Sequence, residues 1–556
     1  MKRTIQQVAY GLILLVLSPF FIPSGMAQQE GSAYTRQDSL RGSITPERAW
    51  WDLIYYHLDI EVKPKQRAIE GSNTVYYKVL QPGKIMQIDL QDPMQIKGFS
   101  QNGQSLDFER EGNAYFVQLN AQQNVGDFNY LKISYDGSPR VSDNPPWSGG
   151  LTWEKDGKGE PFIANSNQGS GASLWWPCKD HMYDEPDSML ISVKVPDPLM
   201  NVSNGKLRQI EKHSEGKSTY HWFVDNPIAN YGVNLSIADY AHFSETYLGE
   251  KGPLSMDYYV LKENLEKGKV QFKDAPRLMR AFEHWLGPYP FYEDGFKLIE
   301  VPYLGMEHQS AVTYGNGFAN GYRGKDLSET GWGLTFDYII IHEAGHEWFA
   351  NNITYKDIAD MWIHESFTTY SESLFIDYHY GVKAGNEYLQ GARRAIKNDG
   401  PIIGDYGVNQ RGSGDMYFKG ANILHTLRQW INDDKQWRRI LRSMNREFYH
   451  QTVTTGEIEN FLASKSGLQL NAFFNQYLRT ADVPLFQYYW KDGKFFYRWA
   501  NTVADFAMPL KVNQRGTTHW VDPQNDWKST ESLVPDAAIE VDPNFYIFVQ
   551  QIQSIE

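Results

Sequence analysis

Two histidines stand four residues apart in the stretch LTFDYIIIHEAGHEWFA, residues 334–350, with a glutamate directly after the first: His342, Glu343 and His346. On an α-helix positions i and i+4 share a face, so both imidazoles can reach one cation. Glu343 then lies beside the place an attacking water takes. Such a site needs a third ligand. Glu365, in ADMWIHESFTTYSE, follows His346 after eighteen intervening residues, room for a turn and the return of a second helix. Two nitrogens, one carboxylate oxygen and one open position are the donor set of a catalytic zinc centre. The chemistry is hydrolysis at a carbonyl. Glu343 takes a proton from water and hands it to the leaving amine, and a hydroxyl donor such as a tyrosine steadies the oxyanion. The run Tyr338-Ile339-Ile340-Ile341 marks the helix as deeply buried, and charged groups beyond it need partners.

The surrounding elements must hold these groups. From about residue 45, Tyr56, Leu58, Ile60 and Val62 alternate with His57, Asp59 and Glu61, the period of a half-buried strand. Similar short runs recur, separated by turns such as Gln81-Pro82-Gly83, and define a β-rich domain over residues 45–245. Near residue 273 the period changes. Leu278, Ala281, Phe282, Trp285 and Leu286 fall at helical spacing and Gly287-Pro288 ends the run. A strand-like piece, FKLIEVPYLGMEHQSAVTY, follows, and helical patterns then dominate to the end of a catalytic domain at 246–482. Thr454 and Glu457 fit a capping box. In residues 483–556 the pattern returns to β, with Asp492-Gly493 as a hairpin turn, and reads as a small sandwich.

The 556 residues suffice for three or four domains at roughly 100–200 residues each. With 53 basic and 67 acidic residues the net charge is −14, which argues against nucleic acid as a partner. Hydrophobic residues make up 41% and aromatics 15%, ample for large cores, so disorder throughout is excluded. The single cysteine, Cys178, rules out internal disulfides, zinc ribbons and iron–sulfur clusters within one chain. Residues 1–27 read as a secretory signal peptide: Lys2 and Arg3, an apolar stretch from Val8 to Ile22 broken by Pro19, and the small-residue site Gly25-Met26-Ala27. Residues 28–44 are polar and read as a flexible leader. The expectation is an exported protein of a bacterial periplasm or medium, with no stable membrane insertion after signal removal.

With those residues in view, the sequence resembles the aminopeptidase N family of zinc metallopeptidases, gluzincins with a thermolysin-like catalytic domain, to which leukotriene hydrolase also belongs. Four segments between residues 168 and 420 carry the likeness. HEAGHEWFANNIT with WIHESFTTYSE is close to the metal-site block. Gly305-Met306-Glu307-His308 resembles the family's Gly-x-Met-Glu-Asn, and Tyr417-Phe418-Lys419-Gly420 its Tyr-x-Lys-Gly. QGSGASLWWPCKD, from Gln168 to Asp180, resembles a first-domain loop ending in Pro-Cys-x-Asp. The resemblance implies a multidomain α+β fold: an N-terminal β-rich saddle or sandwich, a thermolysin-like α/β-then-helical catalytic domain and a small C-terminal β-sandwich.

It also implies a zinc-dependent aminopeptidase with one ion per chain, acting on peptides with a free N-terminus. Glu307, with Gly305 in its segment, binds the substrate's ammonium group, and a carboxylate fixed beside the metal selects the first peptide bond. Tyr417 stabilises the oxyanion, Gln168 lies near the amine pocket, and Glu372, seven residues after Glu365 on the same helix face, accepts from a ligand histidine. His308, His364 and Ser366 stand where the family has Asn, Asn and Gly; none removes a reacting group, each could reshape the amine pocket, and the sequence leaves their effect open. The chain is expected to lack the long helical C-terminal domain of many members, which leaves a more open cleft. Two alternatives use the same motifs: a thermolysin-type endopeptidase, and a non-catalytic peptide-binding protein on the same fold.

Overall fold

A computed structural model of the protein describes residues 34–553. The signal peptide read at residues 1–27 lies outside the described residues. So does the start of the leader, but its later part differs from the expectation. Residues Arg36–Gly42 form a helix, because Leu40 is buried and Arg41 reaches the Asp180 carboxylate at 3.2 Å.

The first half is β. The long strand Trp51–Lys63 pairs antiparallel with Ala68–Val79 and parallel with Ser188–Pro196 at the centre of an eight-stranded sheet. Its alternating Tyr56, Leu58, Ile60 and Val62 are all buried, as the period of two requires. A four-stranded sheet lies in the same part of the chain, and its strand Pro161–Ser166 runs directly into Gln168.

The sheet that carries the site has five strands, in the order Tyr240–Gly249, Gly252–Leu261, Phe296–Glu300, Val312–Tyr314 and Gly305–Met306. It begins at Tyr240, so the boundary read at residue 245 falls inside its first strand. Helices then follow: Asp274–Leu286, Tyr338–Gly345, Trp362–Tyr380, Val382–Ala392 and Phe418–Ile431, and on to Asn471–Arg479. Gly287 closes the first at φ 105°, where a side chain is strained. Thr454 and Glu457 form a capping box in full. The C-terminal strands make a four-stranded and a three-stranded sheet. Leu485–Lys491 and Lys494–Ala500 are joined at Asp492 (φ 49°) and Gly493 (φ 75°), the doubly left-handed turn that Asp-Gly favours.

Two apolar cores result. One lies under the eight-stranded sheet; the other is shared by the helices and the C-terminal strands. They interlock in the segment before Glu307: Ile299, Val301, Tyr303 and Met306 belong to the first core, while Leu298 and Leu304 belong to the second.

Candidate active site

The helix Tyr338–Gly345 starts where it does because Asp337 caps it, accepting from the backbone N–H groups of Ile339 and Ile340. The three isoleucines are buried, so the helix is held by packing and its imidazoles emerge where little water reaches. His342 is 6% and His346 1% exposed. Beyond His346 the chain leaves helical geometry at Phe349 and Ala350. That break turns the Phe349 carbonyl back to lie 3.0 Å from His346 Nδ1. A carbonyl only accepts, so Nδ1 holds the proton and Nε2 keeps its lone pair. His342 is oriented in the same way: its Nδ1 is 2.7 Å from Glu372 Oε1, and Glu372 Oε2 accepts from the Tyr388 hydroxyl at 2.6 Å.

The eighteen residues between His346 and Glu365 hold the short strand Ile353–Tyr355 and one turn at Ile358–Asp360. Glu365 then enters in the first turn of the helix Trp362–Tyr380. Its Oε2 lies 3.7 Å from His342 Nε2 and 3.6 Å from His346 Nε2. Gln168 Nε2 donates to the other oxygen, Oε1, at 2.8 Å. Oε2 is buried and has no hydrogen-bond partner. An orphaned carboxylate oxygen facing two imidazole lone pairs is a costly arrangement unless a cation lies between them. The donor set and its backing partners fit a zinc ion. Burial works to raise the Glu365 carboxyl, but His346 and His342 outweigh it and hold it at about 2.

The strand Gly305–Met306 runs along the motif helix. A Cβ at Gly305 would stand 2.5 Å from Ile339 Cγ2 and 3.1 Å from Glu343 Cγ, so glycine is what lets strand and helix approach. That approach delivers Glu307 to the metal ligands. Glu307, Glu343 and His346 each place a ligand-type atom within 4.8 Å of the others. Both glutamates are nearly dry, at 3% and 8% exposure. Burial, with Glu343 and Glu365 adding repulsion, pushes Glu307 up to about 8. Burial also pushes Glu343 up to about 7, with His342 opposing. One Glu307 oxygen has no hydrogen-bond partner.

Tyr417 follows the turn Gly414–Met416, and its ring lies 6.2 Å from that of His342 and nearly parallel to it. Gln168, Gly305, Glu307, Glu343, Tyr417 and the three metal-site residues line one cavity of about 170 Å³. Sequence reasoning missed Pro146, Trp147, Tyr322 and Arg411, which complete its wall. They sit on loops whose placement leaves no periodic signal. Gln168 also makes a bond that the motif did not reveal, to the Glu365 carboxylate. His308, His364 and Ser366 are not among the lining residues. His308 Nε2 lies 3.2 Å from Asn165 O. His364 Nε2 accepts from Tyr355 N at 2.9 Å, and Ser366 donates to Met416 O at 2.6 Å.

The chain is similar to several known proteins. The leukotriene A-4 hydrolase of Xenopus laevis is 23% identical over 448 residues, covering 76% of this chain and 69% of that protein. Endoplasmic reticulum aminopeptidase 1 of Mus musculus is 22% identical over 313 residues, 54% of this chain but 33% of its own. The chain thus spans about a third of the length of that relative. Among solved structures, the M1 zinc metallopeptidase of Deinococcus radiodurans shares the fold with a TM-score of 0.67 at 20% identity, over 78% of this chain and 96% of that one. A mutant of that enzyme bound to a Tyr-Ser-Ala substrate gives a TM-score of 0.65 at 20% identity, over 79% and 96% of the two chains. Residues 272–477 match the model of the peptidase family M1 domain, so this part of the chain is similar to that family's peptidase domain.

Proposed function

We propose that the protein is a zinc-dependent aminopeptidase that removes residues singly from the N-terminus of peptides, with one ion per chain. The observation that carries this reading is a juxtaposition. A three-ligand metal site shares a small cavity with a second pair of buried carboxyls, Glu307 and Glu343, and buried carboxylates call for a cation beside them. A peptide's α-ammonium group supplies that cation only when the scissile bond is the first one.

Zinc, when bound, polarises the scissile carbonyl and lowers the pKa of the attacking water. The protein's own groups do the rest. Glu307 fixes the ammonium group. Glu343 takes the proton from water at its carboxylate and returns it to the leaving nitrogen. The Tyr417 hydroxyl donates to the carbonyl oxygen as negative charge builds there. Gln168, Glu372 and the Phe349 carbonyl keep the three ligands aimed. The signal peptide expected at residues 1–27 would carry this activity out of the cytoplasm.

The test compares a free peptide amide with its N-acetylated form, with and without chelator, and counts zinc per chain. Free substrate is cleaved, blocked substrate is not, and chelator abolishes the activity. Cleavage of the acetylated peptide at an equal rate points to an endopeptidase, and no cleavage of either by zinc-loaded protein points to a binding protein.

A further inference from the structure

The helix that carries Glu365 and the turn that carries Tyr417 meet at Ser366. This serine is fully buried. Its hydroxyl donates to the carbonyl of Met416 at 2.6 Å, the residue directly before Tyr417. On its other side lies Gly420, where a Cβ would stand 1.9 Å from Ser366 Oγ and 2.6 Å from Ser366 Cβ. The serine therefore fills the notch that Gly420 leaves, and its hydroxyl grips the turn at residue 416.

Other bonds shape the turn itself: the Asp415 carboxylate accepts from the backbone N–H groups of Lys397 and Asn398, and Met416 N donates to Ser413 O at 3.1 Å. Tyr417 sits at φ −75°, ψ −88°, between the turn Gly414–Met416 and the helix Phe418–Ile431. Its own N–H reaches Gly414 O at 3.4 Å, a long and weak bond. The Ser366 bond is short and buried, and it ties the turn to the residue next to Glu365 on the neighbouring helix.

We propose that Ser366 is a positioning residue for catalysis: its hydroxyl locks the Tyr417 turn to the Glu365 helix, so that the oxyanion donor and the metal ligand keep a fixed spacing. The inference rests on the reading of Tyr417 as the oxyanion donor and goes beyond it. Ser366 lies outside the cavity wall and acts through Tyr417 alone. Loss of its hydroxyl frees the tyrosine to wander, which weakens transition-state stabilisation and leaves peptide binding and zinc untouched.

A double-mutant cycle tests this on the zinc-loaded full chain, with Ser366→Ala, Tyr417→Phe and the double variant. Ser366→Ala is expected to lower kcat about tenfold, with KM and zinc content unchanged. In the Tyr417→Phe background the same change is expected to move kcat less than about twofold, because the group it positions is gone. An equal loss of kcat in both backgrounds, or no loss in either, overturns the inference. A fall in zinc content overturns it as well, since Ser366 then serves the metal site. If Tyr417→Phe by itself leaves kcat unchanged, the reading of Tyr417 has failed instead. Ser366→Gly removes the same hydroxyl and replaces Ser366→Ala in the cycle if that variant does not fold.

Discussion

Replacing Glu307 by Gln separates an exopeptidase from any other hydrolase built on the same ligands. The change keeps the side chain's size, which matters at a position only 3% exposed, and removes its charge. What is lost is a charge-assisted hydrogen bond to the substrate ammonium in a nearly dry cavity, on the order of 1.5–3 kcal/mol. At 1.4 kcal/mol per decade that is roughly a 10- to 150-fold fall in kcat/KM. A larger loss is not expected, because Glu343 shares the cluster with Glu307 and keeps some attraction for the ammonium. The assay is kcat/KM on an aminoacyl amide with a free amine and on its N-acetylated form, with zinc content checked in each preparation. The free substrate takes the whole penalty. Any residual cleavage of the acetylated one is unchanged or slightly raised, since it has no cation to lose. Equal losses on both would refute the amine-anchor argument and make Glu307 a structural carboxylate.

Other outcomes follow from the same geometry. Glu343→Gln keeps zinc and loses about 10²–10⁴ in kcat; near-normal turnover by zinc-loaded variant contradicts the proton route. Glu372→Ala unties His342 Nδ1 and weakens zinc about 10- to 100-fold in chelator competition; unchanged affinity shows that His342 needs no backing. The pH dependence of stability has a definite sign. Glu347 is fully buried, and burial raises its carboxyl to about 8. Its folded form therefore holds a proton that the unfolded chain releases near 4.5, and its contribution to stability is lost as pH rises toward 8. Buried histidines act oppositely but only below their ordinary value: His308 and His425 are lowered from 6.5 to about 3 by burial. Between about pH 6.5 and 8 the carboxyl effect stands clear, and Glu347→Gln should flatten the decline seen by chemical denaturation by on the order of 1 kcal/mol per pH unit; an unchanged slope contradicts it.

The metal-site residues were legible because helical periodicity is a strong local signal. His342 with His346 and Glu365 with Glu372 each follow from spacing on a single helix, and Gly305 came with a motif whose physical reason, the close approach to Ile339 and Glu343, needs coordinates. Trp147 and Arg411 were not legible. They reach the cavity from loops, and loop placement depends on contacts far away in sequence. The Phe349 carbonyl was hidden for another reason, since a backbone break at Phe349 and Ala350 has no glycine or proline to announce it. The helix at Arg36–Gly42 escaped notice because its seven residues are mostly polar and are held by partners distant in sequence, Arg36 by Glu111 and Arg41 by Asp180.

The interlock of the two cores just before Glu307 bears on what the cavity accepts. Tyr303 and Met306 are embedded in one core and Leu304 in the other, so Glu307, the proposed amine anchor, cannot slide relative to the helices of His342 and Glu365 without disturbing both. It acts as a gauge of fixed length from nitrogen terminus to carbonyl carbon. An N-terminal β-amino acid, one backbone carbon longer, overshoots that gauge and will be held without being cut, an inhibitor made by a single methylene.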